Sequence, residues 1–325
     1  VLKEATEEER VLGHLFQKQH TIRREVRCEG MGLHSGASIA LRLKPAPPNY
    51  GIRFRRTDLP DRPVVSARYN EVADTSLATT IGSNGASIST VEHLMATLAG
   101  LGIDNALVEV NGPEVPIFDG SAASYFRLLQ KAGLKRQNAF RQYYKVEEPL
   151  TISDGDAYLK AEPSDQFQVS YIIDFPHPLI GKQEFTWCYN KATFGRDIAK
   201  ARTFGFLKDV QKLQSMGLAQ GGSLSNAVVF DELEVLNHEG FRYPDECVRH
   251  KVLDFIGDLA LAGRPVIGAF EVYKAGHRLH NLFLEALMMR KGCCTLVAPQ
   301  RVTAFIPPPP MPSFLDGFSL SAKPA

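Results

Sequence analysis

The chain has 325 residues, 37 of them Lys or Arg and 36 Asp or Glu, for a formal net charge of +1. That length suggests about two domains, at ~150 residues each, and a hydrophobic fraction of 44% suffices for a buried core. The charge balance argues against a broad nucleic-acid surface while leaving room for one small phosphate pocket.

Residues 1–18 read as a helical extension, with Glu7, Glu8 and Glu9 followed by Val11, Leu12, Leu15 and Phe16 at helical spacing. Val1–Arg10 lacks the basic-then-apolar order of a signal peptide, and no apolar run approaches the ~18 residues of a spanning helix. The expectation is a cytoplasmic protein with no integral membrane segment. From His20 the pattern turns to short strands: Thr21–Cys28, Ser38–Leu43 and Gly51–Arg55. A helix follows over Ser89–Ala99, opened by a Ser89/Glu92 capping-box spacing and closed by Gly100 and Gly102. Then come a strand at Ala106–Val110 and a helix over Gly120–Ala132.

The polar, basic stretch Lys135–Arg141 reads as a linker. Beyond it strands are expected at Tyr144–Val146, Thr151–Ile152, Ala157–Ala161, Gln168–Asp174 and Pro265–Tyr273. Helices are expected over Val210–Ser215, Asp245–Leu261 and His280–Met289. Four consecutive prolines, Pro307–Pro310, mark an extended tail. The expected division is an extension (1–19), domain I (20–138), domain II (139–302) and the tail (303–325).

The two halves resemble each other. Leu43, Lys44, Pro47 and Asp58 recur 116 positions later as Leu159, Lys160, Pro163 and Asp174. Val91-Glu92-His93 recurs as Val248-Arg249-His250, read as opening a helix in each half, with a strand carrying Glu-Val after it (Glu109-Val110, Glu271-Val272). Internal duplication is expected. The fold class is then α+β: two tandem domains of like topology, each an antiparallel sheet with helices on one face, and an active site at their interface.

If the copies face each other, His93 and His250 meet near a pseudo-twofold axis. His250 and Asp254 are i and i+4 and share a helix face. The five cysteines contain no C-x-x-C, which argues against a cysteine cage, so the ligands of any metal should be His, Asp or Glu. His93, His250 and Asp254 would supply three, with a coordination position left open; the other reading of His250 and Asp254 is a helix-surface ion pair. Glu92 beside His93 is either a base for water or simply the capping partner of Ser89. His277, after a Gly-containing turn, is either a general acid or a solvated loop residue, and Asp258 could orient it. Two rival readings are a two-metal phosphoesterase, which needs more ligands, and a non-enzymatic duplicated α+β binding module.

Several motifs in one order sharpen this: Gly30-Met31-Gly32-Leu33-His34-Ser35-Gly36, Ser89-Thr90-Val91-Glu92-His93-Leu94, Pro116-Ile117-Phe118-Asp119-Gly120-Ser121, Ala201-Arg202-Thr203-Phe204-Gly205-Phe206, Val248-Arg249-His250-Lys251-Val252-Leu253-Asp254 and Lys274-Ala275-Gly276-His277. With Gly221-Gly222-Ser223 they resemble the zinc-dependent UDP-3-O-acyl-N-acetylglucosamine deacetylases, over roughly His20 to Met289. The resemblance implies hydrolysis of the N-acetyl group to give UDP-3-O-acyl-glucosamine and acetate, the committed step of lipid A biosynthesis. It implies His93, His250 and Asp254 as ligands of Zn2+ (or Fe2+ in the cell) and Glu92 as the base for water at the metal. His277 is implied as general acid oriented by Asp258, Thr203 as oxyanion donor, and Lys251 as a contact to substrate or charge. Phe175, Phe204 and Lys274 are implied near the nucleotide, and Leu207, Val210, Leu213, Leu218, Ala219 and Val229 are candidates for an acyl-chain passage. The partner implied is a small-molecule substrate, no nucleic acid, and the chain is expected to be a monomer.

Overall fold

The computed structural model describes residues 17–298. The expected proline-rich tail and nearly all of the N-terminal extension lie outside the described residues.

The first half contributes β1 (Lys18–Ile22), β2 (Val26–Met31), β3 (Ser38–Pro45), β4 (Ile52–Arg56), β5 (Val64–Ser66), β6 (Val72–Asp74), β7 (Thr80–Ser83) and β8 (Ala86–Ile88), then α1 (Glu92–Leu101), β9 (Ala106–Val110), α2 (Ala123–Ala132) and β10 (Leu134–Phe140). The second contributes β11 (Tyr143–Val146), β12 (Leu150–Asp154), β13 (Ala157–Glu162), β14 (Phe167–Phe175), β15 (Gly181–Cys188), α3 (Lys191–Asp197), β16 (Phe204–Phe206), α4 (Leu207–Ser215), β17 (Val228–Phe230), α5 (Glu246–Leu259), β18 (Val266–Tyr273), α6 (His277–Met289) and β19 (Cys294–Val297). Among the described residues no helix is long and apolar enough to cross a membrane.

The duplication is visible in the strand order. In the first half the sheet runs β2-β3-β9-β4-β5, with β9 antiparallel to β3 and parallel to β4. In the second, β12 pairs β13, β13 pairs β18 antiparallel, β18 pairs β14 parallel and β14 pairs β15. These are the same connections and the same directions. Leu43 stands opposite Val108, and its counterpart Leu159 stands opposite Val272. The equivalent of Val108 is therefore Val272, and the Glu-Val match read from the sequence slips by two residues. Alternation drives burial on one face: Ile39, Leu41 and Leu43 of β3, and Val266, Phe270 and Val272 of β18, are buried.

Three local expectations change. Lys135–Arg141 is not a linker: β10 covers most of it and pairs antiparallel with β1. We propose that the first domain closes with β10 and the second opens with β11, rather than dividing at 138/139. Ser89 and Glu92 form no capping box; α1 starts at Glu92 without a side-chain cap. Ser89 Oγ instead accepts from Thr80 Oγ1, and Glu92 from the Thr79 backbone N–H. Tertiary partners outcompete the local pair. Finally, the Val-x-His triplet opens α1 but lies inside α5, which begins earlier, at Glu246.

α1 and α5 pack on each other between the two sheets, and nearly every residue of both is buried. A helix buried all round is apolar all round unless its polar residues have work to do. Glu92, His93 and Thr97 on α1, and Glu246, His250, Asp254 and Asp258 on α5, are the exceptions.

Candidate metal centre and catalytic cleft

The crossing of α1 and α5 is set by Gly257. A Cβ there would lie 2.1 Å from the Glu92 carbonyl oxygen, so only glycine permits the approach. It brings the first turn of α1 against the last turn of α5. The His93 and His250 rings sit 5.0 Å apart and nearly perpendicular. Asp254 Oδ1 is 3.5 Å from His93 Nε2 and 3.3 Å from His250 Nε2.

The polar bookkeeping at this cluster is incomplete. Asp254 Oδ2 accepts from Lys251 Nζ at 3.0 Å, but Oδ1 is buried with no hydrogen-bond partner among the described residues. A buried orphan carboxylate oxygen is costly. His250 Nδ1 donates to the Ala201 carbonyl at 3.1 Å, which leaves the Nε2 lone pair facing Asp254. Burial, then His93 and Lys251, push the His250 imidazolium down to about 3 despite Asp254, so the ring is neutral. Burial opposes ionisation of Asp254, yet neighbouring groups, the Lys251 ammonium bonded to Oδ2 among them, outweigh it and hold its carboxyl well below the usual range. Two imidazole nitrogens and a carboxylate oxygen converging on one point fit a divalent cation.

Glu92 and His277 flank the cluster. Glu92 Oε2 accepts from the Thr79 N–H at 3.1 Å, while Oε1 lies 3.9 Å from His277 Nε2. Burial raises the Glu92 carboxyl, against the opposing pull of His277 and His93. His277 Nδ1 donates to Asp258 Oδ2 at 2.7 Å. Burial would push the His277 imidazolium down, but Asp258, Glu92 and Asp254 together raise it to about 9. Asp258 is itself held down at about 2: burial opposes ionisation, and His277 and His280 overcome it. His277 is not a loop residue. It is the first residue of α6, preceded by Gly276 in extended backbone.

A cavity of about 510 Å3 opens over these groups. Its walls include Glu92, His93, His250, Lys251 and Asp254, along with Thr203, Phe204, Lys274 and His277. Phe175 packs edge-on against Phe204, with centroids 5.5 Å apart. Lys274 Nζ is held by Asp156 at 2.9 Å and Asp174 at 3.4 Å. Leu207, Val210, Ala219 and Val229 do not line this cavity. Leu207 and Val210 are half-buried on α4, while Ala219 and Val229 are buried nearby, around the β16–β17 pair.

Sequence reasoning missed four supports. Glu114 accepts from Thr90 Oγ1, Ser35 Oγ and the His34 and Ser35 N–H groups. It thereby fastens Thr90, whose φ of 60° is left-handed for a β-branched residue, two positions before Glu92. Thr79 Oγ1 donates to Asp258 Oδ1 at 2.5 Å. His280 Nδ1 donates to Asp258 Oδ2 at 2.8 Å, and its other nitrogen meets Tyr171 Oη. Fully buried Arg202 binds both oxygens of Glu246 and fixes the segment carrying Ala201 and Thr203. None has a periodic signature, because each acts across more than ten residues of chain. His34 sits beside Glu114 with both ring nitrogens buried and unpartnered among the described residues.

The group Asp258, His277 and His280 also clusters closely enough for a metal. Its facing atoms already hydrogen-bond one another. That leaves one cation position among the described residues and disfavours a two-metal phosphoesterase.

The family model described as LpxC, UDP-3-O-acyl N-acetylglycosamine deacetylase, matches residues 19–289. A Myxococcus xanthus protein named UDP-3-O-acyl-N-acetylglucosamine deacetylase is 50% identical over 284 residues, covering 87% of this chain and 90% of its own. Proteins of the same name from Acidithiobacillus ferrooxidans (48% over 282 residues, 86% and 93%) and Histophilus somni (47% over 274 residues, 83% and 90%) are similar over nearly the same span.

Proposed function

Because this chain belongs to the UDP-3-O-acyl N-acetylglycosamine deacetylase family, we propose that it hydrolyses the N-acetyl group of UDP-3-O-acyl-N-acetylglucosamine, in lipid A biosynthesis. The products are acetate and the free 2-amino sugar nucleotide. The observation that carries the reading is the convergence of His93, His250 and the orphaned Asp254 oxygen beside a buried Glu–His pair.

His93 Nε2, His250 Nε2 and Asp254 Oδ1 would hold the cation, Zn2+ in our reading, with Fe2+ suited to the same donors. When bound, it supplies Lewis-acid polarisation of the amide carbonyl and acidifies water. Glu92 takes the proton of the attacking water at Oε1, the oxygen that Thr79 leaves free. Its raised carboxyl brings its basicity closer to neutral pH, where proton transfer is most efficient. His277 carries its proton at Nε2, since Nδ1 donates to Asp258. It stabilises the developing oxyanion and then protonates the departing amine, without which the C–N bond cannot break. Thr203 and Lys251 donate to the same negative charge. Lys274 exchanges its Asp156 and Asp174 partners for the substrate diphosphate, and Phe175 and Phe204 flank the nucleotide. Leu207, Val210, Ala219 and Val229 line the path of the acyl chain. We further propose a monomer working in the cytoplasm.

The test is acetate release from the acylated UDP-amino sugar, with and without a chelator. Glu92→Ala is expected to keep its metal and lose ~10²–10⁴-fold in rate. Full activity of metal-free protein, or of the Glu92→Ala variant, refutes the mechanism.

A further inference from the structure

A second cavity, of about 210 Å3, lies toward the C-terminal ends of α1 and α5, and it shares no lining residue with the catalytic cleft. Its apolar wall is built from Met95 and Leu98 of α1, Ile256 and Leu259 of α5, and Phe167 and Trp187 of the second sheet. These residues come from both halves of the chain, and five of the six are less than 8% exposed. A void that size between well-packed helices exceeds the space of one or two waters many times over. Its apolar wall offers water few partners.

Arginines stand at its rim, and they differ in one respect. Arg141 pairs with Asp104 at 2.7 Å, and Arg264 donates to Gln142 at 2.9 Å. Arg68 makes no side-chain hydrogen bond or ion pair among the described residues. Its guanidinium rests on the backbone of Gly263, where a Cβ would come within 2.6 Å of Cζ. Gly263 also needs its left-handed backbone, φ 77°, to end the helical turn. The glycine therefore makes room for a cation that has no counter-charge among the described residues. A half-buried cation without a partner is unfavourable unless an anion joins it.

An apolar slot with one free guanidinium at its mouth selects an amphiphile with an anionic head. We propose that this cavity binds the alkyl chain of a medium-length fatty carboxylate, with the carboxylate on Arg68. The guanidinium fork matches a carboxylate in two parallel hydrogen bonds.

Trp187 is the only tryptophan in the chain and lines the cavity, so its emission reports occupancy directly. Decanoate, kept below its micellar concentration, is titrated into the metal-loaded full chain. The expected result is a saturable change in Trp187 emission, with affinity at least tenfold weaker in Arg68→Ala and in Arg68→Gln, both checked for an unchanged thermal melt. Decanol, the same chain without charge, is expected to bind at least tenfold more weakly than decanoate. Acetate release by Arg68→Gln should match the parent, since Arg68 lines no wall of the cleft. No saturable emission change overturns the proposal. So does an Arg68→Gln response equal to the parent's, or decanol binding as tightly as decanoate.

Discussion

Replacing Gly257 with alanine asks whether the distance between α1 and α5 sets the geometry of the reacting groups. The substitution adds one methyl group, in mid-helix, where alanine is intrinsically favoured over glycine by ~0.8–1.0 kcal/mol. In an isolated helix it would stabilise. Here the new Cβ would sit 2.1 Å from the Glu92 carbonyl oxygen, and real Cβ contacts essentially never fall below 3.0 Å. The obstacle is backbone, so no side chain can swing away. The helices must separate by about 1 Å, at an overpacking cost of ~1–3 kcal/mol that cancels or exceeds the propensity gain. The net change in stability is therefore small, roughly 0–2 kcal/mol of loss. The chemical consequence is larger. Glu92 and His93 ride on one helix, His250 and Asp254 on the other, and a misplacement of about 1 Å can cost ~10²-fold in rate. Gly257→Ala is expected to melt within a few degrees of the parent, to hold metal more weakly, and to lose about 100-fold in kcat with little change in KM. Steady-state acetate release, metal analysis and a thermal melt decide it. A variant with parental kcat and metal content would show that the crossing distance does not govern the site.

His250→Ala is expected to lose both rate and metal, so that metal analysis falls below one ion per chain; stoichiometric metal in the variant would contradict the ligand assignment. The alkaline limb of kcat/KM is expected near pH 9, where His277 gives up its proton. Because that group is raised from 6.5 in the folded chain, its contribution to stability is complete below about pH 6.5 and disappears as pH climbs through 9. Asp258→Asn should move the alkaline limb to lower pH, and an unmoved limb would remove Asp258 from its orienting role. Glu114→Ala strands Thr90 Oγ1, Ser35 Oγ and two backbone N–H groups. It should cost about 3 kcal/mol, read as a drop of roughly 6–12 °C in Tm, and an unchanged Tm would refute that accounting.

The elements legible in the sequence were those whose burial is periodic. β3 and β18 alternate cleanly, and α1 and α5 carry long apolar stretches between glycines. The clustering of His93, His250 and Asp254 was legible for a different reason: His250 and Asp254 are one helical turn apart, and the repeat pointed from His250 to His93. Distance information was not legible. β10 looks like a linker because its side chains are mostly polar and exposed, and only pairing with β1 makes it a strand. β15 was missed since its exposed face carries Lys182 and Glu184 between poorly buried neighbours. His277 read as a loop residue because nothing local announces that α6 begins there. Glu114, Arg202 and His280 act through contacts that no spacing rule encodes.

One pair of aligned positions gives the duplication a chemical meaning. Four residues after His250 stands Asp254; four residues after His93 stands Thr97, fully buried, its hydroxyl turned back onto the His93 carbonyl at 2.8 Å. The pseudo-symmetric helices thus match in their imidazoles and diverge in their acids. Carboxylates at both places would bring two negative charges to one dication and neutralise it. With a single carboxylate and two neutral rings, a bound dication keeps a net charge of one. That remaining charge is what an amide carbonyl would encounter on entering the cleft, and a departure from twofold symmetry at one side chain preserves it.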